Sequence, residues 1–319
     1  MSESPLEPDT GAPEESVAAR AAAIRQEIAA EREKQNSPTK NLALFLITGI
    51  VFVAVMGSDL DLGAVLLFLG VLLFHELGHA LAMVAFGYRN VSMFFIPFLG
   101  ALMTGRKDDA PAWQEALVSL AGPLPGLLVG IALLPVALLR QEGLLAELSG
   151  YLIILNGFNL LPFLPLDGGH FAAAVLFQRH RHLETAFAYL GAVGLVAIAL
   201  LLGWWGIGIF AVFAFVAANF QRKVREVAHR LGEEHGARVA DPDDAMLVTM
   251  DEAVERELSV EAPATRARVV EQIRQAARRR PPEALATALL FVAYLAPLPL
   301  LIVAGIVGIF LGAAAQPAP

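Results

Sequence analysis

Residues 62–86 read LGAVLLFLGVLLFHELGHALAMVAF, an apolar run that carries three ionisable side chains, His75, Glu76 and His79. As a helix rising about 1.5 Å per residue, the run is long enough to cross the roughly 30 Å hydrocarbon core of a bilayer. Ionisable groups are costly in hydrocarbon, and where they occur they usually serve a function. The stretch therefore predicts a membrane helix that carries a functional site.

The composition of the whole chain agrees with a membrane protein. Of its 319 residues, 56% are hydrophobic and 17% are charged, against about 25% charged in soluble domains. Its net charge of −8, without a basic face, argues against a nucleic-acid partner. The sequence contains no cysteine, which excludes disulfides, thiolate metal ligands and cysteine nucleophiles.

Further apolar runs predict an all-α polytopic fold of about seven transmembrane helices in the lipid bilayer. The predicted spans are residues 41–56, 62–86, 113–139, 144–164, 186–202, 204–220 and 284–311. Pro297 and Pro299 lie inside the last span and predict a kink or break there.

The polar segments divide the chain into four parts. Residues 1–40 predict a mostly flexible cytosolic tail, residues 41–220 a six-span membrane domain, residues 221–283 a small charged helical insert, and residues 284–319 a final span with a short tail. Within the tail, residues 17–34 could form a helix, but its apolar face is thin. Lysine and arginine cluster before the first span and after the second, fourth and sixth spans, which places the N-terminus and the insert in the cytosol. No targeting segment is evident, so we expect a multi-pass protein of the bacterial cell (inner) membrane.

The HELGH motif predicts a metal centre. Residues four apart share a face of a helix, so His75 and His79 can reach one ion while Glu76 accepts a proton from water. A zinc site needs a third protein ligand. The fourth predicted span ends in NLLPFLPLDGGH, residues 159–170, where two prolines break the helix just before Asp167. The predicted orientation brings Asp167 to the same end of the bundle as His79, which makes it the expected third ligand of one zinc ion per chain.

The pair of motifs, HELGH and the later NxxPxxPLDG, resembles the site-2 protease family of intramembrane zinc metalloproteases (peptidase family M50). The matching residues run from about 62 to 170. The resemblance implies a catalytic core of three helices, with zinc held by His75, His79 and Asp167 and with Glu76 as the general base. It further implies that Asn159 helps to hold substrate or the oxyanion. The alternative role for Asn159 is to satisfy backbone groups freed at the Pro162 break. The implied activity is zinc-dependent hydrolysis of peptide bonds in a single-pass transmembrane substrate that has been cleaved once before.

Two features beside the motifs bear on this reading. Residues 88–104 are β-prone and interrupted by Pro97 and Gly100, which predicts a small re-entrant β-hairpin. The hairpin would either pair with an unwound substrate as an added strand or form a plug at the membrane surface. Gly122, Gly126 and Gly130 recur every four residues and predict close helix packing, and Gly126 stands where many family members carry asparagine.

Functions other than intramembrane proteolysis fit the sequence less well. A polytopic metal transporter using the same histidines and aspartate as a transit site is the main alternative, but the two halves of the chain show no inverted repeat. A second class of membrane HExxH protease takes a downstream glutamate as its third ligand, and no such motif follows His79. His170 is expected to lie outside the metal ligands. Nothing in the sequence indicates an oligomeric state.

Overall fold

The computed structural model of the chain describes residues 12–34, 38–56, 61–96, 100–107, 110–162, 164, 166–177, 181–203, 205–278 and 282–314. The first half contains α1 (Ala12–Lys34), α2 (Pro38–Met56), α3 (Leu62–Ala85), β1 (Arg89–Ile96), β2 (Gly100–Arg106), α4 (Ala112–Ala121), α5 (Pro123–Arg140) and α6 (Gly143–Asn159). The second half contains α7 (Asp167–Ala172), α8 (Arg181–Leu202), α9 (Trp205–His235), α10 (Asp244–Leu258), α11 (Pro263–Arg278), α12 (Ala284–Leu295) and α13 (Pro297–Ala314). A π-helical turn, Ala173–Phe177, continues α7, and a 3-10 turn, Gly236–Val239, follows α9.

The chain divides into two compact units, a larger one made of residues 38–218 and 280–319 and a smaller one made of residues 1–37 and 219–279. Within the described residues, three helical stretches of the larger unit are long and apolar enough to cross a membrane: Leu62–Ala85, Ala112–Arg140 and Ala284–Val303. Thr39–Ala54 and Thr185–Leu201 are apolar but shorter. The mostly helical membrane fold is therefore confirmed, and the total of seven spans stays a prediction.

Large apolar side chains on the outside of the larger unit fit this assignment. Leu81 is 62% exposed, Ile154 70% and Leu200 79%. Single exposed apolar side chains are common in soluble proteins, but this many large ones on membrane-length helices are not. These faces are suited to lipid.

The interior of the larger unit is built by close packing of α5 on α6. A Cβ built on Gly126 would lie 2.3 Å from the side chain of Asn156, and one on Gly130 would lie 2.8 Å from Cβ of Leu152. The hydroxyl of Ser149 donates to the carbonyl of Gly130 across the same contact. The close packing predicted from the glycine spacing is confirmed for this pair of helices.

The predicted hairpin is present as a two-stranded antiparallel sheet. Its register pairs Phe95 with Ala101 and Met93 with Met103. Helix α2 lies along β1, where the Phe95 N–H donates to Oγ1 of Thr48 and the Phe95 ring packs between Phe45 and Phe52. The N–H of Phe95 therefore points away from β2, toward the outer edge of β1. At this position α2 occupies that edge.

The final span is broken, as its prolines predict. Helix α12 ends at Leu295 and α13 begins at Pro297. Leu290 of α12 is buried in one apolar cluster with Leu120 of α4 and Phe171 of α7. The last helices thus pack on the part of the fold that carries the predicted site.

The smaller unit differs from the flexible tail predicted for residues 1–40. Ala12–Lys34 forms helix α1, which packs on α10 and α11. Its apolar contribution is small, with Ala21 fully buried and Ile28 partly buried, so the sequence pattern gives little sign of docking. Ion pairs with partners more than 200 residues away add to the contact: Arg20–Glu252, Arg25–Asp244, Arg32–Glu271 and Glu31–Arg268.

The predicted insert has an apolar core of its own. Val227 and Leu231 of α9, Met250 of α10 and Val270 and Ile273 of α11 are all buried in one cluster. Asp251 and Arg266 form a largely buried ion pair across α10 and α11, with 3.0 Å between Oδ1 and Nε. The residues of the insert therefore form a folded helical unit together with α1.

Candidate metal centre

The two histidines of the HELGH motif lie side by side on the buried face of α3. His75 is 2% exposed and His79 5%, and their Nε2 atoms are 3.2 Å apart. Their spacing of four residues places both rings on one face of the helix. Gly78, between them, faces α4, where a Cβ would lie 2.0 Å from the carbonyl oxygen of Ala121. The motif therefore brings α3 close to α4 as well as supplying two ring nitrogens.

Asp167 joins the two histidines from a distant part of the sequence, the start of α7. Helix α6 ends at Asn159 and α7 begins at Asp167. The described residues between them, 160–162, 164 and 166, are not helical. One carboxylate oxygen, Oδ2, lies 3.0 Å from Nε2 of His75, and Oδ1 lies 3.3 Å from Nε2 of His79. Within the described residues, these three side chains form the group whose ligand atoms lie close enough together to hold a metal ion, all within 4.8 Å of one another.

The outer nitrogen of each imidazole contacts an acceptor. Nδ1 of His75 lies 2.8 Å from Oδ1 of Asn156, and Nδ1 of His79 lies 2.8 Å from the carbonyl oxygen of Val118. Asn156 is itself held, since its Nδ2 donates to the carbonyl of Leu152. A carbonyl oxygen can only accept, so Nδ1 carries the proton in each ring and donates it. In the neutral ring the lone pair of Nε2 then faces the other histidine and the carboxylate.

This arrangement fits a divalent cation. Two nitrogen lone pairs and a carboxylate converge within about a hydrogen-bond length, and neutral imidazoles place no hydrogen among them. Two histidines and a carboxylate are a ligand set of catalytic zinc sites, which keep a further position open. The outer hydrogen bonds from Nδ1 are also typical of metal-binding histidines. The chemistry of the donor set therefore suits zinc.

Glu76 is the remaining ionisable group of the motif and points to a different role. It is 4% exposed, and its Oε2 atom is buried with no hydrogen-bond partner among the described residues. It does not belong to the three-residue group. A buried oxygen without a donor is costly in protein, and a catalytic role is one of the reasons for which such an oxygen is retained.

The other predicted residues, Asn159 and His170, are not members of this three-residue group. The side chain of Asn159 donates to the carbonyl of Leu155, one turn back on its own helix. His170 is exposed and is not among the clustered ligands. Sequence reasoning missed Asn156, which contacts His75. The available signal was a second asparagine about one turn before Asn159 in an otherwise apolar span, because polar side chains inside a membrane usually have a function.

Comparison with known proteins finds a matching family model and several similar proteins. The family model described as peptidase family M50 matches residues 63–153. A zinc metalloprotease of Methanocaldococcus jannaschii is 31% identical over 196 residues, which cover 58% of this chain and 56% of that protein. The stage IV sporulation protein FB of Bacillus subtilis is 32% identical over 177 residues, which cover 51% of this chain and 59% of that protein. The chain thus spans little more than half the length of these curated relatives.

One solved structure is also similar. It is a site-2 protease from Methanocaldococcus jannaschii, with a TM-score of 0.41 and 23% sequence identity, covering 56% of this chain and 87% of that one.

Proposed function

We propose that this chain belongs to the site-2 protease family, peptidase family M50, and that it is a zinc-dependent endopeptidase that hydrolyses peptide bonds of membrane-spanning substrates. The observation that carries the proposal is the convergence of His75, His79 and Asp167 on one point of an apolar helix bundle, with the buried Oε2 atom of Glu76, which has no partner among the described residues, beside it. In a polar cluster that serves only structure, buried carboxylate oxygens are usually paired.

Each residue then has a defined task. His75, His79 and Asp167 would hold the zinc ion. Zinc bound there supplies Lewis acidity, which lowers the pKa of water and polarises a carbonyl group. Glu76 would accept a proton from the attacking water and return it to the leaving amine. Its place in the motif, next to the ligand His75, puts it within reach of the site, and its free Oε2 is ready to accept that proton.

The side chains around the ligands would keep them oriented. Asn156 and the carbonyl of Val118 accept from the Nδ1 atoms, so both rings keep their inner nitrogens directed at the ion. Loss of such outer contacts typically costs 10–100-fold in metal affinity or activity. Burial of both histidines limits competing water.

The finer features of the substrate and its binding belong to the same proposal. A membrane helix hides its backbone bonds, so a single-pass substrate must unwind locally before attack, and an earlier cleavage would free the chain to enter. Asn159 would contribute by turning its amide from Leu155 toward a developing oxyanion. The chain would cross the bacterial inner membrane about seven times, with the N-terminus in the cytosol.

The proposal is tested with five variants of the purified full chain, assayed for bound zinc and for cleavage of a single-pass substrate. We expect His75→Ala, His79→Ala and Asp167→Ala each to lower the zinc content, because each removes one of three ligands. Glu76→Gln should keep zinc near the wild-type amount and lose hydrolysis by about 10²–10⁴-fold, the usual contribution of a general base. His170→Ala, the matched control, should retain both.

Two results would overturn the proposal. If His75→Ala, His79→Ala and Asp167→Ala all bind as much zinc as the wild-type chain, there is no metal centre at this place. A Glu76→Gln chain that still hydrolyses substrate at the wild-type rate has no general base there. Zinc-dependent transport by vesicles containing the wild-type chain, without any cleavage, would favour the metal transporter instead.

A further inference from the structure

Asp167 is held differently from the two histidines it joins. The outer nitrogens of His75 and His79 are fixed by Asn156 and by the carbonyl of Val118. Within the described residues, the contacts of the Asp167 carboxylate are with the two imidazoles, and its Oδ2 atom has no hydrogen-bond donor. Apart from the two imidazoles, no described side chain is seen to orient this carboxylate, so its position depends on the backbone that carries it.

Helix α12 holds that backbone through one side chain, Tyr294. The hydroxyl of Tyr294 donates to the carbonyl oxygen of Leu160, the first residue beyond the end of α6. The ring of Tyr294 stacks on Phe171, with 4.6 Å between centroids and an interplanar angle of 6°. Phe171 lies one helical turn after Asp167 and is 1% exposed. A single tyrosine thus contacts the chain both before and after the aspartate.

The contact before Asp167 reaches the ligand directly. A Cβ built on Gly168 would lie 2.2 Å from the carbonyl oxygen of Leu160, so the backbone of Leu160 packs against the residue that follows Asp167. The oxygen that accepts from Tyr294 is the same one that faces Gly168. A shift of this carbonyl would therefore shift Asp167.

We propose that Tyr294 is a positioning residue that keeps Asp167 in place as the third zinc ligand. The inference rests on the proposed function, since it assigns a role toward the same metal centre. It also gives the final helices a task, because α12 lies outside the residues 63–153 matched by the family model. The simpler alternative is that Tyr294 only satisfies a carbonyl left free at a helix end, where no water is available.

The test removes the hydroxyl and keeps the ring. The full-length chain carrying Tyr294→Phe, purified with zinc, is compared with wild type for its rate of zinc loss to a chelator. We expect about 10-fold faster loss, the lower end of the effect of groups that orient metal ligands. The cobalt-substituted protein should also show an altered visible absorption spectrum, which reports on the ligands around the ion. Tyr189→Phe is the matched control, because Tyr189 packs on Phe215 and is 52% exposed, away from the ligands.

A second variant covers the case in which only packing matters. Tyr294→Leu removes the ring as well and should release zinc faster than Tyr294→Phe, and thermal unfolding of each variant shows whether it is folded. Wild-type zinc release and a wild-type cobalt spectrum in a folded Tyr294→Phe chain would overturn the inference and support the simpler alternative. If His75→Ala leaves the zinc content unchanged, the metal centre itself is absent, so the two failures are distinguishable.

Discussion

Gly122 leaves room for the imidazole of His79: a Cβ built on Gly122 would lie 2.2 Å from Nε2, the ring atom that faces Asp167. Real Cβ contacts are essentially never that short. Gly122 stands between α4 and α5, next to Pro123. The residue at the break between these helices is therefore also the one that leaves room for a metal ligand. The glycine spacing that predicts helix packing therefore also shapes the centre.

We expect Gly122→Ala to displace the ring of His79 and weaken zinc binding by at least 10-fold, the scale on which a misplaced ligand acts. The backbone of Gly122 has φ −72° and ψ −63°, which alanine adopts without strain, so any effect comes from lack of space. Chelator competition on the purified chain measures it. Gly150→Ala is the control, because a Cβ on Gly150 meets nothing within 4 Å. Equal zinc affinity in both variants would contradict the crowding argument.

Asn156 and Asn159 lie on the same helix, and we expect substitutions of the two residues to have different effects on zinc affinity. Asn156→Leu keeps the volume but removes the acceptor for Nδ1 of His75, so zinc affinity should fall about 10–100-fold. Asn156→Asp keeps an acceptor and should restore most of that affinity. Asn159→Ala should leave zinc binding unchanged, since its amide bonds to Leu155. The same chelator competition decides, and zinc loss in Asn159→Ala with none in Asn156→Leu would reverse the assignment.

The contrast between these asparagines shows what the sequence could predict. His75 and His79 follow from helix spacing alone, and Asp167 follows from the prolines and glycines that mark irregular backbone. Asn156 does not, because its contact joins residues 81 positions apart and depends on how α6 is rotated against α3. The docking of helix α1 was not predicted for a similar reason, since ion pairs such as Arg20–Glu252, 232 residues apart, add to the contact made by a thin apolar face.

The hairpin offers a test of substrate pairing on its second strand. Phe95 directs its N–H away from β2, so its partner Ala101 and the next alternate residue, Met103, direct theirs away from β1. Met103→Pro therefore removes an outer-edge donor and spares the ladder. If substrate adds as a strand there, kcat/KM should fall roughly fivefold, from the loss of about 1 kcal/mol for one hydrogen bond. Zinc content should not change.

Met103→Ala keeps the N–H and serves as the control for that variant. Equal cleavage by Met103→Pro and Met103→Ala would count against strand addition at this edge and favour the membrane-surface plug.

The orientation in the membrane can be tested by cysteine labelling, because the chain has no cysteine of its own. Three exposed positions are suitable: Ala19 in α1, Thr249 in α10 and Glu142 before α6. Helix α1 packs on α10, so Ala19→Cys and Thr249→Cys must lie on one side of the membrane. With an impermeant thiol reagent on intact bacterial cells, we expect both to stay unlabelled until the cells are permeabilised, and Glu142→Cys to react at once.

Each departure from that pattern has a distinct meaning. Labelling of Ala19→Cys and Thr249→Cys in intact cells, with Glu142→Cys protected, would invert the orientation and place the metal centre nearer the outer face. Different behaviour of Ala19→Cys and Thr249→Cys would require an odd number of crossings between them. That result would contradict the six spans predicted for residues 41–220, and it would also contradict the docking of α1 on α10, because two residues packed in one unit cannot lie on opposite sides of a bilayer.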